Sequence, residues 1–190
     1  MKRLSFFALL AGCFYLLQSC GNPPKQPQAL SEKVVIAYVT SWSETMPNPD
    51  LVTHINYAFG HVTNSFDGVR ISNEERLKQI VALKKQSPEL KVLLSIGGWG
   101  SGRFSEMAAD ENNRLSFAKD CQRVVQEFGL DGIDIDWEYP TSSAANISSS
   151  PDDTDNFTLL MRDIRQAIGK DKLLTMASVA SAQYVNFRAI

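Results

Sequence analysis

The decapeptide at positions 131–140 constrains the fold of this chain more than any other segment, because apolar and acidic side chains alternate along it. A period of two is typical of a β-strand, in which successive side chains point to opposite faces. The acidic positions are Asp134, Asp136 and Glu138, and the apolar positions are Ile133, Ile135 and Trp137. Carboxyl groups in a row repel one another, so a solvated edge strand is the less favoured interpretation. On an inward face they share protons, which predicts a proton-transfer site.

Strand and helix patterns alternate along the rest of the chain, which predicts parallel strands joined by right-handed crossovers. The predicted strands lie at 34–39, 55–59, 92–96, 131–140 and 173–179, and the predicted helices lie at 74–86, 111–128 and 153–168. Ser72 and Glu75 have the spacing of a capping box for the first helix, and Gly129 is placed to end the second. Asp152 or Asp153 caps the third helix.

Two architectures fit this order of elements, an open doubly wound sheet and a closed (β/α)8 TIM barrel. No glycine-rich phosphate-binding fingerprint follows the first strand, which disfavours a nucleotide-binding doubly wound fold. Candidate functional side chains instead follow the C-terminal ends of predicted strands, where barrels carry their active sites. These residues are Trp42, Phe59, Trp99 and Glu138. The α/β class with a (β/α)8 barrel is therefore the predicted fold.

The length of the chain bears on how much of that barrel it contains. A complete barrel takes about 250 residues, so the predicted strands correspond to about the first five βα units. We expect this 190-residue chain to be a fragment of the whole protein. Without the remaining strands the sheet has an open edge, and we expect the fragment alone to be inactive or poorly soluble.

A charged and then apolar segment begins the chain. Lys2 and Arg3 precede an apolar run at 4–17 that is too short to span a bilayer, which is typical of a secretory signal. The sequence Leu-Gln-Ser-Cys-Gly at 17–21 resembles the lipobox of bacterial lipoproteins, which are cut before the cysteine and then lipidated on its thiol. Ordinary secretion with cleavage nearby is the alternative.

These features divide the chain into a lipoprotein signal peptide at 1–20, a proline-containing tether at 21–32 and a barrel domain at 33–190. Acyl chains on Cys20 would form a membrane anchor, since each buried methylene contributes about 0.8 kcal/mol. We therefore expect export across the inner membrane and a lipid-anchored location in the periplasm or on the cell surface.

Charge and cysteine content exclude several classes of function. The formal net charge is −2 and no basic run occurs, so nucleic acid is not an expected partner. Of the three cysteines, Cys13 lies in the signal, Cys20 is the lipidation site and Cys121 lies on an apolar helix face. No disulfide framework and no metal cluster is predicted, and no cofactor is expected.

The position of the acids along their strand indicates a reaction. At about 3.3 Å per residue, Glu138 lies nearest the barrel mouth, where a protonated carboxyl group serves as a general acid. Glycoside hydrolases usually place two carboxyl groups on opposite sides of the sugar, about 5 Å or more apart. Asp136 and Glu138 project from one side, so the attacking group must come from elsewhere. In the substrate-assisted mechanism it is the carbonyl oxygen of a 2-acetamido group, which selects N-acetylglucosamine polymers.

Two motifs resemble those of one enzyme family. The decapeptide at 131–140 resembles the catalytic signature of the family 18 glycoside hydrolases, the chitinase type in particular, and Ser-Ile-Gly-Gly-Trp at 95–99 resembles that family's second motif. Tyr38 and Asn-Tyr-Ala-Phe at 56–59 also resemble family positions. The resemblance covers about residues 34–179. The tyrosine that this family takes from strand six and its tryptophan from strand eight are not among them.

The resemblance implies a role for each member of the acidic row. Glu138 would donate a proton to the glycosidic oxygen and later activate water. Asp136 would turn between Asp134 and the substrate, and would hold the acetamido group as an oxazolinium ion forms. Asp134 would share its proton, with Tyr38 and Ser95 donating hydrogen bonds to the buried charge.

Further residues are implied in support of this row and in sugar binding. Asp131 would support the site, and Gly97 and Gly98 would let the backbone bend beside the substrate. The candidate platforms for stacking on sugar rings are Trp42, Phe59, Trp99 and Tyr139. Core packing is the alternative role for Tyr38 and Phe59, and loop anchoring is the alternative for Trp42.

Three functions remain open on this sequence. The first is hydrolysis of chitin or chito-oligosaccharides, the second is an endo-β-N-acetylglucosaminidase acting on N-glycans, and the third is a non-catalytic chitin-binding lectin on the same fold. The Trp-Glu-Tyr-Pro sequence at 137–140 favours a chitinase. Glu138 argues against a lectin, because the lectins of this fold lack the acid.

Overall fold

A computed structural model describes residues 33–178 of the chain, and strands alternate with helices through this part. The strands are β1 (Ile36–Thr40), β2 (His54–Val62), β3 (Val69–Ile71), β4 (Lys91–Gly97), β5 (Gly132–Asp136) and β6 (Leu173–Met176). The α-helices are α1 (Glu74–Ala82), α2 (Phe104–Ala109), α3 (Glu111–Phe128) and α4 (Asp153–Ile168). The predicted signal peptide, the tether and Cys20 lie outside the described residues. No helix between residues 33 and 178 is both long enough and apolar enough to cross a membrane.

The strands form one sheet whose parallel members follow the order β1-β2-β4-β5-β6, with β3 antiparallel to the end of β2. Each parallel strand lies beside the next parallel strand of the chain, and the order never reverses. A doubly wound sheet reverses its order at a switch point, whereas a barrel adds strands in sequence. The described residues are thus part of a (β/α)8 barrel, as predicted.

The hydrophobic core lies between the outer face of the sheet and the helices. Ile133 and Ile135 of β5 have no exposed surface. The side chains that α3 turns toward the sheet include Phe117, Cys121, Val124 and Val125, all buried. Burial raises the pKa of the Cys121 thiol, so this cysteine is a protonated core residue, as expected.

The helix caps agree with the sequence in part. Gly129 ends α3 in the left-handed conformation at φ 66°, as predicted. The capping box of Ser72 and Glu75 is wrong, because Asn73 is the N-cap of α1 and its side chain accepts from the backbone N–H of Arg76 at 3.2 Å. Helix α1 also ends at Ala82, and the 3-10 turn Leu83–Lys85 continues it to about the predicted end.

Two short elements escaped prediction, and the acidic strand is shorter than expected. Strand β3 has three residues and α2 has six, so both are too short for their pattern to repeat recognisably. Strand β5 ends at Asp136, and the predicted continuation to position 140 is instead the start of a loop. Glu138 therefore stands just beyond the strand.

Candidate active site

The acidic row lies at the C-terminal ends of the parallel strands, where these ends meet. A cleft of about 410 Å³ opens there, and Tyr38, Phe59, Asp136, Glu138 and Tyr139 are among the residues that line it. A larger groove of about 630 Å³ lies between the loop that precedes β3 and helix α3, but none of the acidic row lines it. The chemistry predicted from the sequence therefore belongs to the cleft at the strand ends.

Asp134 is the innermost acid, with 1% of its surface exposed. The hydroxyl groups of Tyr38 on β1 and Ser95 on β4 each donate to its Oδ2 at 2.8 Å, as expected. Thr175 on β6 donates to Oδ1 at 2.6 Å. Burial, and after it the negative charge of Asp134, raises the pKa of Tyr38 well above its ordinary value, so the phenol keeps its proton and donates. Both oxygens of Asp134 are thus held by hydroxyl donors.

Asp136 is the member of the row whose proton affinity burial changes most clearly. It is 7% exposed. Burial, followed by the charges of Glu138 and Asp134, raises its pKa from 3.8 to about 7. The environment of this carboxyl group therefore favours its protonated form. The sharing of protons that the sequence predicts is therefore centred on Asp136.

Glu138 lies beyond the end of β5, but its side chain continues the alternation of directions along the strand. It is half-buried at the cleft, with Tyr139 beside it. Trp137, between the two acids, faces the other way and is 3% exposed. Its ring stacks on Phe104 of α2 at 5.3 Å between centroids and meets the edge of Phe157 of α4 at 6.0 Å. The packing of Trp137 under two helices keeps the neighbouring carboxyl groups turned toward the cleft.

The glycines of the second motif bring β4 close to β5. Gly97 has φ 131°, and a Cβ at this position would lie 2.0 Å from the backbone oxygen of Asp136. The backbone N–H of Gly98 donates to that oxygen at 2.9 Å, and a Cβ on Gly98 would lie 2.9 Å from the ring of Phe59. The atoms that leave no room for a side chain at these two positions belong to Asp136 and Phe59. Both glycines therefore let the backbone of β4 approach Asp136 and Phe59, and they position these two residues.

The predicted aromatic platforms differ in exposure. Trp42 is 71% exposed and Trp99 is 65% exposed. Phe59 is half-buried, and its ring centroid lies 6.4 Å from that of Trp42. Large apolar side chains in water are unfavourable unless a partner covers them, and an indole face suits the apolar face of a sugar ring.

The loop that carries Trp42 is fixed from α1. Arg76 is 7% exposed, and its guanidinium donates to the carbonyl oxygen of Thr45 at 2.6 Å. The side chain of Asn73 donates to the carbonyl oxygen of Ser41 at 3.1 Å. Arg76 and Asn73 thus anchor the loop, whereas Trp42 projects into solvent.

Asp131 does not join the acidic row. It precedes β5, at the end of the strand opposite to the cleft. Its carboxylate accepts from the ammonium group of Lys84 at 2.7 Å and from the backbone N–H of Val92 at 2.8 Å. The supporting role predicted for Asp131 is therefore structural, since it ties the start of β5 to β4.

Sequence reasoning missed Asp153, which supports the loop after Glu138. This carboxylate is fully buried, and it accepts from Ser150 N at 2.7 Å, from Thr141 N at 3.3 Å and from Ser105 Oγ at 2.8 Å. It was predicted only as a possible cap of α4, and Asp152 occupies that position without a side-chain hydrogen bond. A buried acid in the first turn of a helix is invisible to a cap pattern, because its partners come from distant segments.

Comparison with known proteins identifies a family whose sequence model the chain matches. The sequence model of the glycosyl hydrolases family 18 matches residues 34–189. Chitinase A1 of Niallia circulans is 41% identical over an alignment 232 positions long, which covers 89% of this chain and 33% of that enzyme. The chain spans about a third of the length of the curated relatives that it matches first.

Solved structures show the same similarity. The chitinase domain of the spore coat protein CotE from Clostridium difficile aligns with a TM-score of 0.77 and 39% identity, over 87% of this chain and 48% of that one. A glycoside hydrolase family 18 N-acetylglucosaminidase from Paenibacillus barengoltzii aligns with a TM-score of 0.73 and 41% identity, over 80% of this chain and 47% of that one.

Proposed function

This chain belongs to the glycosyl hydrolases of family 18, and on that premise we propose that the whole protein hydrolyses β-1,4-linked N-acetylglucosamine polymers, chitin and chito-oligosaccharides. The observation that supports this most is the arrangement of the acidic row. Asp134 is buried under hydroxyl donors, Asp136 titrates near neutral pH, and Glu138 lies at the cleft. Such a row is suited to moving a proton between a buried site and a bound substrate.

In the proposed reaction, Glu138 donates its proton to the glycosidic oxygen as the bond to C1 breaks. The carbonyl oxygen of the 2-acetamido group attacks C1 from the opposite face and forms an oxazolinium ion. Asp136 turns from Asp134 toward the acetamido group, accepts a hydrogen bond from its N–H and stabilises the positive charge of the oxazolinium ion. Glu138 then takes a proton from water, whose oxygen attacks C1 and restores the acetamido group, so the configuration at C1 is retained.

The exposed aromatic side chains supply the proposed contacts with the sugar chain. Trp42 and Phe59 lie beside each other at the ends of β1 and β2, and Trp99 follows β4. Tyr139 lines the cleft next to Glu138. Sugar rings stacked on these side chains would hold a polymer across the strand ends, with one glycosidic bond at Glu138.

The other two functions fit the residues less well. A lectin has no use for a general acid, and Glu138 lies in the same cleft as Asp136. An endo-β-N-acetylglucosaminidase would use the same acids, so it differs from a chitinase only in the glycan that the cleft accepts. Product analysis separates the two enzymes.

The full-length protein is expected to release chito-oligosaccharides from chitin and to leave a high-mannose glycoprotein intact. Mass spectrometry of the products identifies the cleaved bond, and NMR of the first products is expected to show the β-anomer, because the mechanism retains configuration. Release of whole N-glycans would instead identify the endo-β-N-acetylglucosaminidase. Binding to chitin without any product from either substrate would contradict both enzyme readings and support the lectin.

We further propose that residues 1–20 are a lipoprotein signal, that 21–32 form a tether and that Cys20 carries the lipid. The support is the sequence around Cys20 together with the short apolar run before it. In a bacterial host, the full-length protein is expected to incorporate labelled palmitate and to enter the detergent phase, whereas Cys20→Ser does neither. Wild-type protein found unlabelled in the aqueous phase would contradict the lipid anchor and support ordinary secretion.

A further inference from the structure

Thr175 joins the acidic row through the register of the sheet. In the register of β5 and β6 it lies directly opposite Asp134, and Ser95 lies opposite Asp134 on the other side. These three side chains therefore form one row across three strands. Tyr38 and Ser95 donate to Oδ2 of Asp134, whereas Thr175 donates to Oδ1 at 2.6 Å. Thr175 thus holds the oxygen that the other two hydroxyl groups do not.

The hydrogen bond to Oδ1 of Asp134 affects which carboxyl group of the row holds a shared proton. A carboxylate oxygen that already accepts a short hydrogen bond from a fixed hydroxyl is a poorer acceptor for a further proton. Asp134 and Asp136 lie two residues apart on one face, so they are neighbours in the row, and the charge of Asp134 acts on Asp136. We infer that Thr175 is a positioning residue, which by donating to Oδ1 of Asp134 leaves the shared proton of the row on Asp136. This inference rests on the proposed function, in which Asp136 turns toward the substrate.

The surroundings of the row agree with this role. The charged groups that act on Asp136 are Glu138 and Asp134, and they lie on its own segment. Within residues 33–178, the side chains on other strands that donate to Asp134 are the hydroxyls of Tyr38, Ser95 and Thr175. Tyr38 keeps its proton, because burial raises its pKa. Neutral hydroxyl donors on three neighbouring strands therefore act on the carboxylate of Asp134.

The test replaces Thr175 in the full-length protein by valine, which keeps the shape and removes the hydroxyl, and by serine, which keeps the hydroxyl. Loss of a donor to the row raises its proton affinity. In T175V we expect kcat on a soluble chito-oligosaccharide to fall about ten-fold with little change in KM, and the pH limb of kcat to move up by about one unit. T175S is expected to keep both values near those of the wild type. Thr158→Val, which makes the same change on the exposed face of α4, is the matched control.

Two results would overturn the inference. The first is an active T175V whose pH limb of kcat does not move, and the second is a loss of kcat in T175S as large as in T175V. If T175V does not fold, T175A is subjected to the same criteria. NMR titration of the aspartate carboxyl carbons in the free protein measures the shift without substrate. An inactive wild type whose titration still shifts in T175V would contradict the proposed function and leave the role of Thr175 in place.

Discussion

Replacing Glu138 by glutamine in the full-length protein is expected to lower chitin hydrolysis by a factor of about 10² to 10⁴. Glutamine has nearly the same shape as glutamate but has no acidic proton to give to the glycosidic oxygen. Glu138 is half-buried beside Tyr139 in the cleft, so the replacement needs no repacking. Binding to chitin is expected to stay within a few-fold of the wild type, because the proposed stacking residues are unchanged.

The measurement is the release of soluble chito-oligosaccharides, together with retention of the protein on chitin beads. Glu89→Gln is the matched control, since Glu89 is exposed in the loop before β4 and lies outside the cleft. Loss of both activity and binding would indicate a collapsed cleft and leave the role of the acid to be tested by Glu138→Asp. Activity close to that of the wild type would show that another group is the acid.

The faces of the acidic strand could be predicted from the sequence alone. The direction of a side chain on a strand alternates whatever the neighbours are, so the period of two assigns Asp136 and Trp137 to opposite sides. The structure has Asp136 at the cleft and Trp137 between Phe104 and Phe157. The parallel barrel followed from the alternation of elements for a similar reason, since strands separated by helices pair in parallel.

The donors of Asp134 were only partly predictable. Tyr38 and Ser95 were expected from the family resemblance, and both hydrogen bonds are present. Thr175 was missed because its contact depends on the register between β5 and β6, which no local pattern sets. Asp131 was predicted to support the site, but the sequence did not show how: its carboxylate accepts from Lys84 and from the backbone N–H of Val92 at the other end of the sheet.

The sequence also could not predict which acid of the row has the raised pKa. The three acids have the same spacing along the chain, so a pattern treats them alike. The pKa of Asp136 rises to about 7 because burial acts on it and because charged neighbours lie on both sides. The burial of Asp136 is a property of the assembled sheet, so its effect on the pKa can be assigned only once the neighbouring strands are in place.

Replacing Asp136 by asparagine is expected to have opposite effects on activity and on stability. The amide can neither hold and release the shared proton nor ionise as the proposed oxazolinium ion forms, so kcat is expected to fall by a factor of about 10² to 10³. The same substitution removes a carboxyl group whose pKa is raised from 3.8 to about 7 in the folded protein. Ionisation of such a group is less favourable in the folded than in the unfolded state.

The sign of the stability change follows from these two values. In the wild type, the contribution of Asp136 is most favourable below about pH 4, declines as the pH rises toward 7 and is lost above it. Three pKa units correspond to about 4 kcal/mol, and water in the open cleft reduces the expected loss to about 2 kcal/mol. D136N lacks this decline, so the free energy of unfolding of the variant relative to wild type should rise by that amount between pH 4 and pH 8.

Denaturant unfolding of both proteins at pH 4 and pH 8 measures this difference, and Asp171→Asn, on an exposed turn before β6, is the control for loss of a surface charge. Parallel pH dependence of the free energy of unfolding in D136N and wild type would mean that Asp136 is ionised at little cost in the fold. That result would contradict the proposed sharing of a proton between Asp136 and Asp134, since a carboxyl group that is already ionised has no proton to share. We expect D136N to be less active and more stable at pH 8. This combination is typical of a catalytic group whose environment destabilises the fold but serves the reaction.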